Sequence, residues 1–261
     1  MASLSYSIHG QGAPVVFLHG FCESKEIWQE FLAPLETSFQ SIVVDMPGFG
    51  KSTSNTNYYS IDAMAEEVHL LLQVLSIPKS TIIAHSLGGY VALALAEKYP
   101  ESIAGLGLFH STAYPDTEER KQGRNKTAEA IKQNGMPEFL ENFIPGLFYK
   151  ERQTELQETI TAVYKLTSHT PAPTAIAATL AMRDRPDRTH VLRNSNYPVL
   201  FIAGKNDNAI VFESAREQFY LPNHSIVQAL SDTAHMGMFE KPAETRAMVK
   251  SFVEICQVLQ K

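Results

Sequence analysis

Ser80-Thr81-Ile82-Ile83-Ala84-His85-Ser86-Leu87-Gly88-Gly89 is the stretch that decides the fold. Its first half is a short β-branched run, and from Leu87 onward Leu87, Val91 and Leu95 recur every fourth residue among alanines, so the hydrophobic period switches from strand to helix at Ser86. A chain passes from strand to helix within one residue only if that residue is strained, and the positions two before and two after it lie so close that they must be small. Here they are Ala84 and Gly88. The helix that follows aims its free N–H groups at whatever bonds to the serine oxygen, and the N–H of Leu87 is the nearest donor to a developing oxyanion. The usual pattern is G-x-S-x-G, from which Ala84 departs by one methyl. The competing reading of the hexapeptide alone is a Ser-Gly-Gly helix start with Ser86 as an ordinary N-cap.

At 261 residues and 44% hydrophobic the chain can bury a full core, as one large domain or a domain with an insertion. A formal charge of −6 and the lack of a Lys/Arg-rich cluster argue against a nucleic-acid partner. The start, Met1-Ala2-Ser3-Leu4-Ser5-Tyr6, has neither a cationic nor an apolar targeting region, and no apolar run approaches ~18 residues, so neither export nor a membrane span is expected. Cys22 and Cys256 are too far apart in sequence to form a disulfide framework, which points to a reducing cytoplasm. Cys22 is expected to pack as a small apolar residue. The oligomeric state is left open by the sequence.

Working outward, short apolar runs alternate with helical patterns: Val15 to Leu18, Ile42 to Val44, Thr81 to Ala84, Leu106 to Phe109, Val199 to Ala203 and Ser225 to Leu230. Such alternation predicts an α/β fold, a mostly parallel central sheet with helices on both faces. Leu4, Tyr6 and Ile8 alternate before Gly10-Gln11-Gly12, predicting an antiparallel N-terminal hairpin. Helices are expected at Ser24 to Glu36, Ile61 to Leu75, Leu87 to Tyr99 and Pro242 to Leu259. Between Pro115 and about His190 the alternation stops, and prolines 137, 145, 171, 173 and 186 are expected to cut a helical stretch into short pieces. The organisation is therefore a core made of residues 1–114 and 191–261, with a helical cap, residues 115–190, inserted after the strand ending near His110.

A serine hydroxyl is a weak nucleophile until a base accepts its proton, so the elbow requires a histidine and an orienting carboxylate on loops after later strands. Lys205-Asn206-Asp207-Asn208 follows one buried strand, and Ser231-Asp232-Thr233-Ala234-His235 follows the next. Asp207 and His235 are the candidates, in the chain order Ser, Asp, His expected for this elbow. Asp232 is the alternative acid, but it shares a loop with His235 and does not follow the preceding strand. No histidine has metal-ligand spacing and H-E-x-x-H is absent, so neither metal nor other cofactor is expected.

With Ser86, Asp207 and His235 in place, the chain resembles an α/β-hydrolase with a helical cap. His19-Gly20-Phe21 resembles the family's H-G-x oxyanion loop, which makes the N–H of Phe21 the second oxyanion donor beside Leu87. Asp45-Met46-Pro47-Gly48-Phe49-Gly50-Lys51-Ser52 resembles the family's D-x-P-G-x-G-x-S loop. Its Gly-Lys-Ser is not a phosphate-binding loop, since Asp45 stands where that motif needs glycine; Asp45 is expected to brace neighbouring loops. His19 and His85 are expected to be hydrogen-bonding groups behind the site, and His110 ends a strand beside it.

The function expected is a cofactor-free serine hydrolase of esterase type acting on a small, mainly apolar ester, thioester or lactone. The resemblance also admits a carbon–carbon bond hydrolase of meta-cleavage products or a perhydrolase with the same triad, and, outside enzymology, a small-molecule receptor. Pocket walls are expected from Phe139, Phe143, Phe148 and Tyr149 in the cap and from Trp28 and Met236, with Phe21 and Leu87, on the core side. For the cap aromatics, packing against the sheet domain is the alternative.

Overall fold

β-Branched and apolar runs at the expected places pair into one sheet in the computed structural model, which describes residues 3–54 and 59–259. Residues 1, 2, 55–58, 260 and 261 of the expected core segments lie outside the described residues. The strands are β1 (Tyr6–His9), β2 (Pro14–Leu18), β3 (Gln40–Val44), β4 (Ser80–His85), β5 (Ile103–Phe109), β6 (Val199–Gly204) and β7 (Ser225–Leu230). Their order is β1-β3-β2-β4-β5-β6-β7. Every residue of β4, β5 and β6 is buried, as a parallel strand covered on both faces requires. β7, at the edge, alternates exposed and half-buried residues up to the buried Leu230.

All pairs are parallel except β1 with β3, where Tyr6 lies opposite Val44 and His9 opposite Ser41. The N-terminal strand is thus antiparallel at the sheet edge, but its partner is β3 and not β2, so Gly10-Gln11-Gly12 does not close a hairpin. The reason is the position of β2. It pairs in parallel with both β3 and β4, which leaves it no free edge for β1.

The chain leaves β2 towards β3 on one side and returns to β4 on the other, so the sheet reverses its winding direction between β2 and β4. Parallel sheets open a crevice at the carboxyl ends of the strands at such a point. Leu18 is opposite Ala84, and His85 opposite Phe109. The residues after β2, β4 and β5 therefore emerge side by side.

Helices over Ile61–Val74, Leu87–Lys98 and Pro242–Leu259 agree with the sequence patterns. The expected helix at Ser24 to Glu36 is three short pieces, a 3₁₀ turn at Lys25–Trp28, an α turn at Gln29–Leu32 and a 3₁₀ turn at Ala33–Leu35. Pro34 lacks the N–H that a continuous helix would use.

Between β5 and β6 the regular elements are all helical among the described residues: Glu118–Gly146, Gln157–Thr167, Ala172–Asp184 and Thr189–Arg193. Only one of the expected proline breaks inside the first of these occurs. Gly135 has φ 84 and ψ 174, two residues before Pro137, where the chain leaves and re-enters the helix. Pro145 sits in the final turn without ending it, and Pro173 occupies a first turn, where its missing N–H costs nothing. The segment is tied to the sheet domain by Arg188, which pairs with Glu97 at 2.9 Å, and by Thr170, whose hydroxyl donates to the Cys22 carbonyl. No helix among the described residues is long and apolar enough to cross a membrane.

Candidate active site

Ser86 stands between β4 and the helix Leu87–Lys98 with φ 49 and ψ −114, the strained conformation that the period switch requires. Its N–H donates to the Phe109 carbonyl, and its carbonyl accepts from Gly89 N–H and the Ser111 hydroxyl at 2.7 Å. A Cβ on Gly88 would meet the carbonyl oxygens of His19 at 2.7 Å and Leu18 at 2.8 Å, so the helix approaches β2 closely only without a side chain there. Ser86 makes no side-chain capping bond, which removes the reading as an ordinary N-cap and leaves its Oγ without a hydrogen-bond partner among the described residues.

Asp207 follows β6 and His235 follows β7. The Asp207 Oδ1 accepts from Ala209 N–H at 2.7 Å and Ile210 N–H at 2.9 Å, while Oδ2 accepts from His235 Nδ1 at 2.7 Å. Burial alone would raise the Asp207 pKa, but His235 and then His110 outweigh it and hold the carboxyl well below the usual range. A proton on His235 Nδ1 leaves Nε2 bare, the form that accepts a proton. Asp232, by contrast, is exposed, has φ 52 and makes no bond to His235. The structure therefore joins Asp207 to His235. It sets the His235 loop beside the elbow, with His85 Nε2 3.0 Å from the His235 carbonyl, but makes no hydrogen bond between Ser86 and His235.

The N–H groups of Phe21 and Leu87 donate to no turn, loop or side-chain acceptor among the described residues, as free oxyanion donors would. Behind them lies a layer of buried polar groups. His19 donates from Nδ1 to the Gly20 carbonyl and accepts Met46 N–H at Nε2. Asp45 receives the N–H groups of Lys25 and Lys51 and the Lys25 ammonium, bracing the two loops as expected. Cys22 is wholly buried with φ 63, and burial pushes its thiol well up, which keeps it inert.

Two buried histidines flank His235 with opposite requirements. His110 Nε2 faces Gly237 N–H at 3.2 Å, and Nδ1 faces Gly204 N–H at 3.2 Å besides Asp207 Oδ2 at 3.3 Å, so a second ring proton would set N–H against N–H and the ring is neutral. Burial lowers its pKa to about 4 in spite of that carboxylate. His85 has only acceptors, Glu23 Oε2 at 3.0 Å from Nδ1 and the His235 carbonyl at 3.0 Å from Nε2, so both nitrogens need protons. Burial would lower the His85 pKa, but Glu23 outweighs it and the value is raised; burial would likewise raise Glu23, but His85 outweighs it and holds that carboxyl down.

Sequence reasoning missed two acids here, Glu23 and Glu240. Glu240 Oε1 accepts Ala234 and Met236 N–H, the residues on either side of His235, and Oε2 accepts Tyr149 N–H at 2.9 Å. His235 N–H itself donates to the Leu147 carbonyl at 2.8 Å. Burial raises the Glu240 pKa. The helical segment between β5 and β6 is thus bonded directly to the histidine loop.

Of the expected pocket residues, Phe139 and Phe143 stack at 5.0 Å and meet the ring of Phe21 edge-on at 6.1 and 5.8 Å. Phe148 and Met236 are buried. Trp28 is enclosed by Phe17, Phe31, His85 and Phe109, under the elbow in the core, with its indole Nε1 unpartnered. Tyr149 is half-exposed and its hydroxyl bonds Glu151, which raises its pKa. His110, Asp207 and His235 are the group among the described residues with ligand atoms close enough for a metal, all within 4.8 Å. His235 turns an N–H to the carboxylate, so a metal would have to displace that proton.

A model of the alpha/beta hydrolase fold matches residues 13–242. The bifunctional biotin biosynthesis protein of Teredinibacter turnerae is 26% identical over 92% of this chain, which spans 44% of that relative's length. A thermophilic esterase from Thermogutta terrifontis superimposes with a TM-score of 0.92 at 29% identity, covering 97% of this chain and 93% of the esterase. The enol-lactonase of Burkholderia xenovorans shares the fold with a TM-score of 0.88 at 20% identity, over 97% of each chain.

Proposed function

We propose that this chain, which belongs to the alpha/beta hydrolase fold family, is a serine hydrolase that cleaves a small, mainly apolar ester, thioester or lactone through an acyl-enzyme on Ser86. The observation that carries the reading is the 2.7 Å bond from His235 Nδ1 to Asp207, together with a serine at φ 49 whose hydroxyl has no hydrogen-bond partner among the described residues. The matches to an esterase and, in fold alone, to an enol-lactonase support the bond type.

In this reading His235 Nε2 takes the proton of Ser86 as Oγ attacks the substrate carbonyl carbon. The Asp207 carboxylate keeps the imidazole in the Nδ1–H tautomer and stabilises the imidazolium. The carbonyl oxygen, now an anion, receives the N–H groups of Phe21 and Leu87, and losing one such donor typically costs ~2.7 to 4 kcal/mol. His235 then gives its proton to the leaving alcohol or thiol. Water, deprotonated by His235, releases the acid and restores Ser86. The bond from Ser86 to His235 forms in this reading when substrate binds, as such catalytic bonds commonly tighten in the complex.

Residues 115–190 act as a cap in this reading, and their Phe139 and Phe143 stand against Phe21, the residue that supplies an oxyanion donor. A wall of aromatic hydrocarbon beside the reacting carbonyl favours uncharged acyl or aromatic groups. Fluorophosphonate labelling tests the proposal: Ser86 takes the label in wild-type protein and His235→Ala slows it severely. Unmodified Ser86 in folded protein, or labelling indifferent to His235→Ala, overturns it. p-Nitrophenyl esters of increasing chain length beside a meta-cleavage product, with Ser86→Ala as control, separate ester hydrolysis from carbon–carbon bond cleavage.

A further inference from the structure

We propose that Glu23 and His85 form a buried ion pair that acts as a positioning device, fixing the oxyanion loop, the nucleophile and the histidine loop relative to one another. The inference rests on the serine-hydrolase reading of the site. Glu23 and His85 are 2% and 1% exposed and lie 62 residues apart in sequence. Glu23 Oε2 accepts two hydrogen bonds, from Gly20 N–H at 2.6 Å and from His85 Nδ1 at 3.0 Å. The other ring nitrogen, Nε2, donates to the His235 carbonyl at 3.0 Å.

One end of the pair thus holds the N–H of Gly20, the residue immediately before Phe21, the middle is the residue immediately before Ser86, and the far end holds the carbonyl of His235. Each of the three loops that deliver a reacting or stabilising group has one bond to it. The space where they meet admits nothing further, for a Cβ on Gly20 would lie 2.7 Å from His85 Nδ1 and 2.9 Å from Glu23 Oε2. Glycine in the His19-Gly20-Phe21 loop is needed for this junction.

The geometry also fixes the charge. Both His85 nitrogens face oxygen acceptors, so a neutral imidazole would set a bare lone pair against an oxygen, and the imidazolium with the Glu23 carboxylate satisfies every contact. Breaking such a buried pair by neutralising one member leaves the other uncompensated. Glu23→Gln illustrates the constraint. If the amide oxygen takes the Oε2 position, the bonds to Gly20 and His85 survive, but the neutral environment no longer holds the second proton on His85 and the bond to His235 fails. If the amide nitrogen takes it, two N–H groups collide at Gly20.

Neither residue touches the reacting atoms, so their effect falls on transition-state geometry. A misplacement of about 1 Å can cost on the order of 10²-fold in rate. The test combines two measurements on the full chain. Nitrogen-15 NMR of histidine-labelled wild-type protein at pH 7 is expected to report His85 with both ring nitrogens protonated, and steady-state kinetics of Glu23→Gln on a p-nitrophenyl ester is expected to give a 10- to 100-fold lower kcat, as an order of magnitude, with KM changed less than threefold. A neutral His85 in wild-type protein overturns the inference whether or not the variant folds. So does a folded Glu23→Gln enzyme with wild-type kcat, or one whose loss lies in KM alone. Failure of the serine reading looks different: Ser86 of wild-type protein takes no fluorophosphonate, while the NMR signature of His85 stands.

Discussion

Replacing His110 with asparagine should remove a specific part of the protein's acid sensitivity. His110 is wholly buried, its ring is neutral, and its folded pKa of about 4 lies below the 6.5 of an unfolded chain. As pH falls, the unfolded chain takes up this proton first, so the stability present above pH 6.5 is lost as the pH drops towards 4. The gap corresponds to about 2 kcal/mol at pH 5 and about 3 kcal/mol once both states are fully protonated. Asparagine tolerates the φ of 49 at this position and offers an N–H donor for Asp207, though it is too short to reach Gly237 as well. The variant should therefore be less stable at pH 7.5, by about 1–3 kcal/mol, yet lose less on acidification. Urea unfolding of both proteins at pH 7.5, 6 and 5 provides the check. All other titratable groups are common to both proteins, so the difference between the two pH slopes reports on His110 and its contact with Asp207. Parallel stability curves would refute the assignment of His110 as a neutral group wedged against the candidate acid.

Asp207→Asn should lower kcat about 10⁴-fold with little change in KM or fold, since it presents the wrong tautomer of His235 to the serine; stopped-time ester assays measure it. Ser86→Gly should abolish turnover and yet raise the midpoint of urea unfolding above that of Ser86→Ala, by about 1 kcal/mol, because glycine accepts φ 49 without strain. Glu240→Ala strands the buried N–H groups of Tyr149, Ala234 and Met236 and should cost about 2–4 kcal/mol, offset in part by no longer burying a carboxylate whose pKa is raised. Amide hydrogen exchange at those three residues should speed up together; faster exchange on one side alone would sever the link between the helical segment and the histidine loop.

The sheet was legible because its signals are local. β4 is six consecutive buried residues, and a run of that kind is visible without knowing its neighbours. What needed tertiary information is who pairs with whom. Leu4, Tyr6 and Ile8 announce a strand, and the glycines after them announce a turn, yet the edge they join depends on β2 already lying between β3 and β4. The same limit applies to Trp28. A large aromatic near the oxyanion loop reads equally as pocket wall or core, and only its enclosure by Phe17, Phe31 and Phe109 distinguishes them.

The site divides along the same line. Ser86 and the two loop residues Asp207 and His235 could be named because each follows a strand, and strand ends can be counted. Glu23 and Glu240 could not, since an isolated glutamate in a loop or at a helix end has the composition of a solvated surface residue. Burial reverses that expectation only where partners exist, and the partners of Glu23 are Gly20 N–H and a histidine 62 residues away. The protonation of His85 and His110 carries the argument furthest. Their rings lie 6.2 Å apart, both fully enclosed, and in sequence both are simply the last residue of an apolar run. One must carry two protons because it sees only acceptors, while the other carries no more than one because backbone N–H groups point at both its nitrogens. A charged ring and a neutral ring thus stand on either side of His235, 4.9 and 5.7 Å from it. That asymmetry is set by which backbone groups the loops turn inward, and residue identity alone does not contain it.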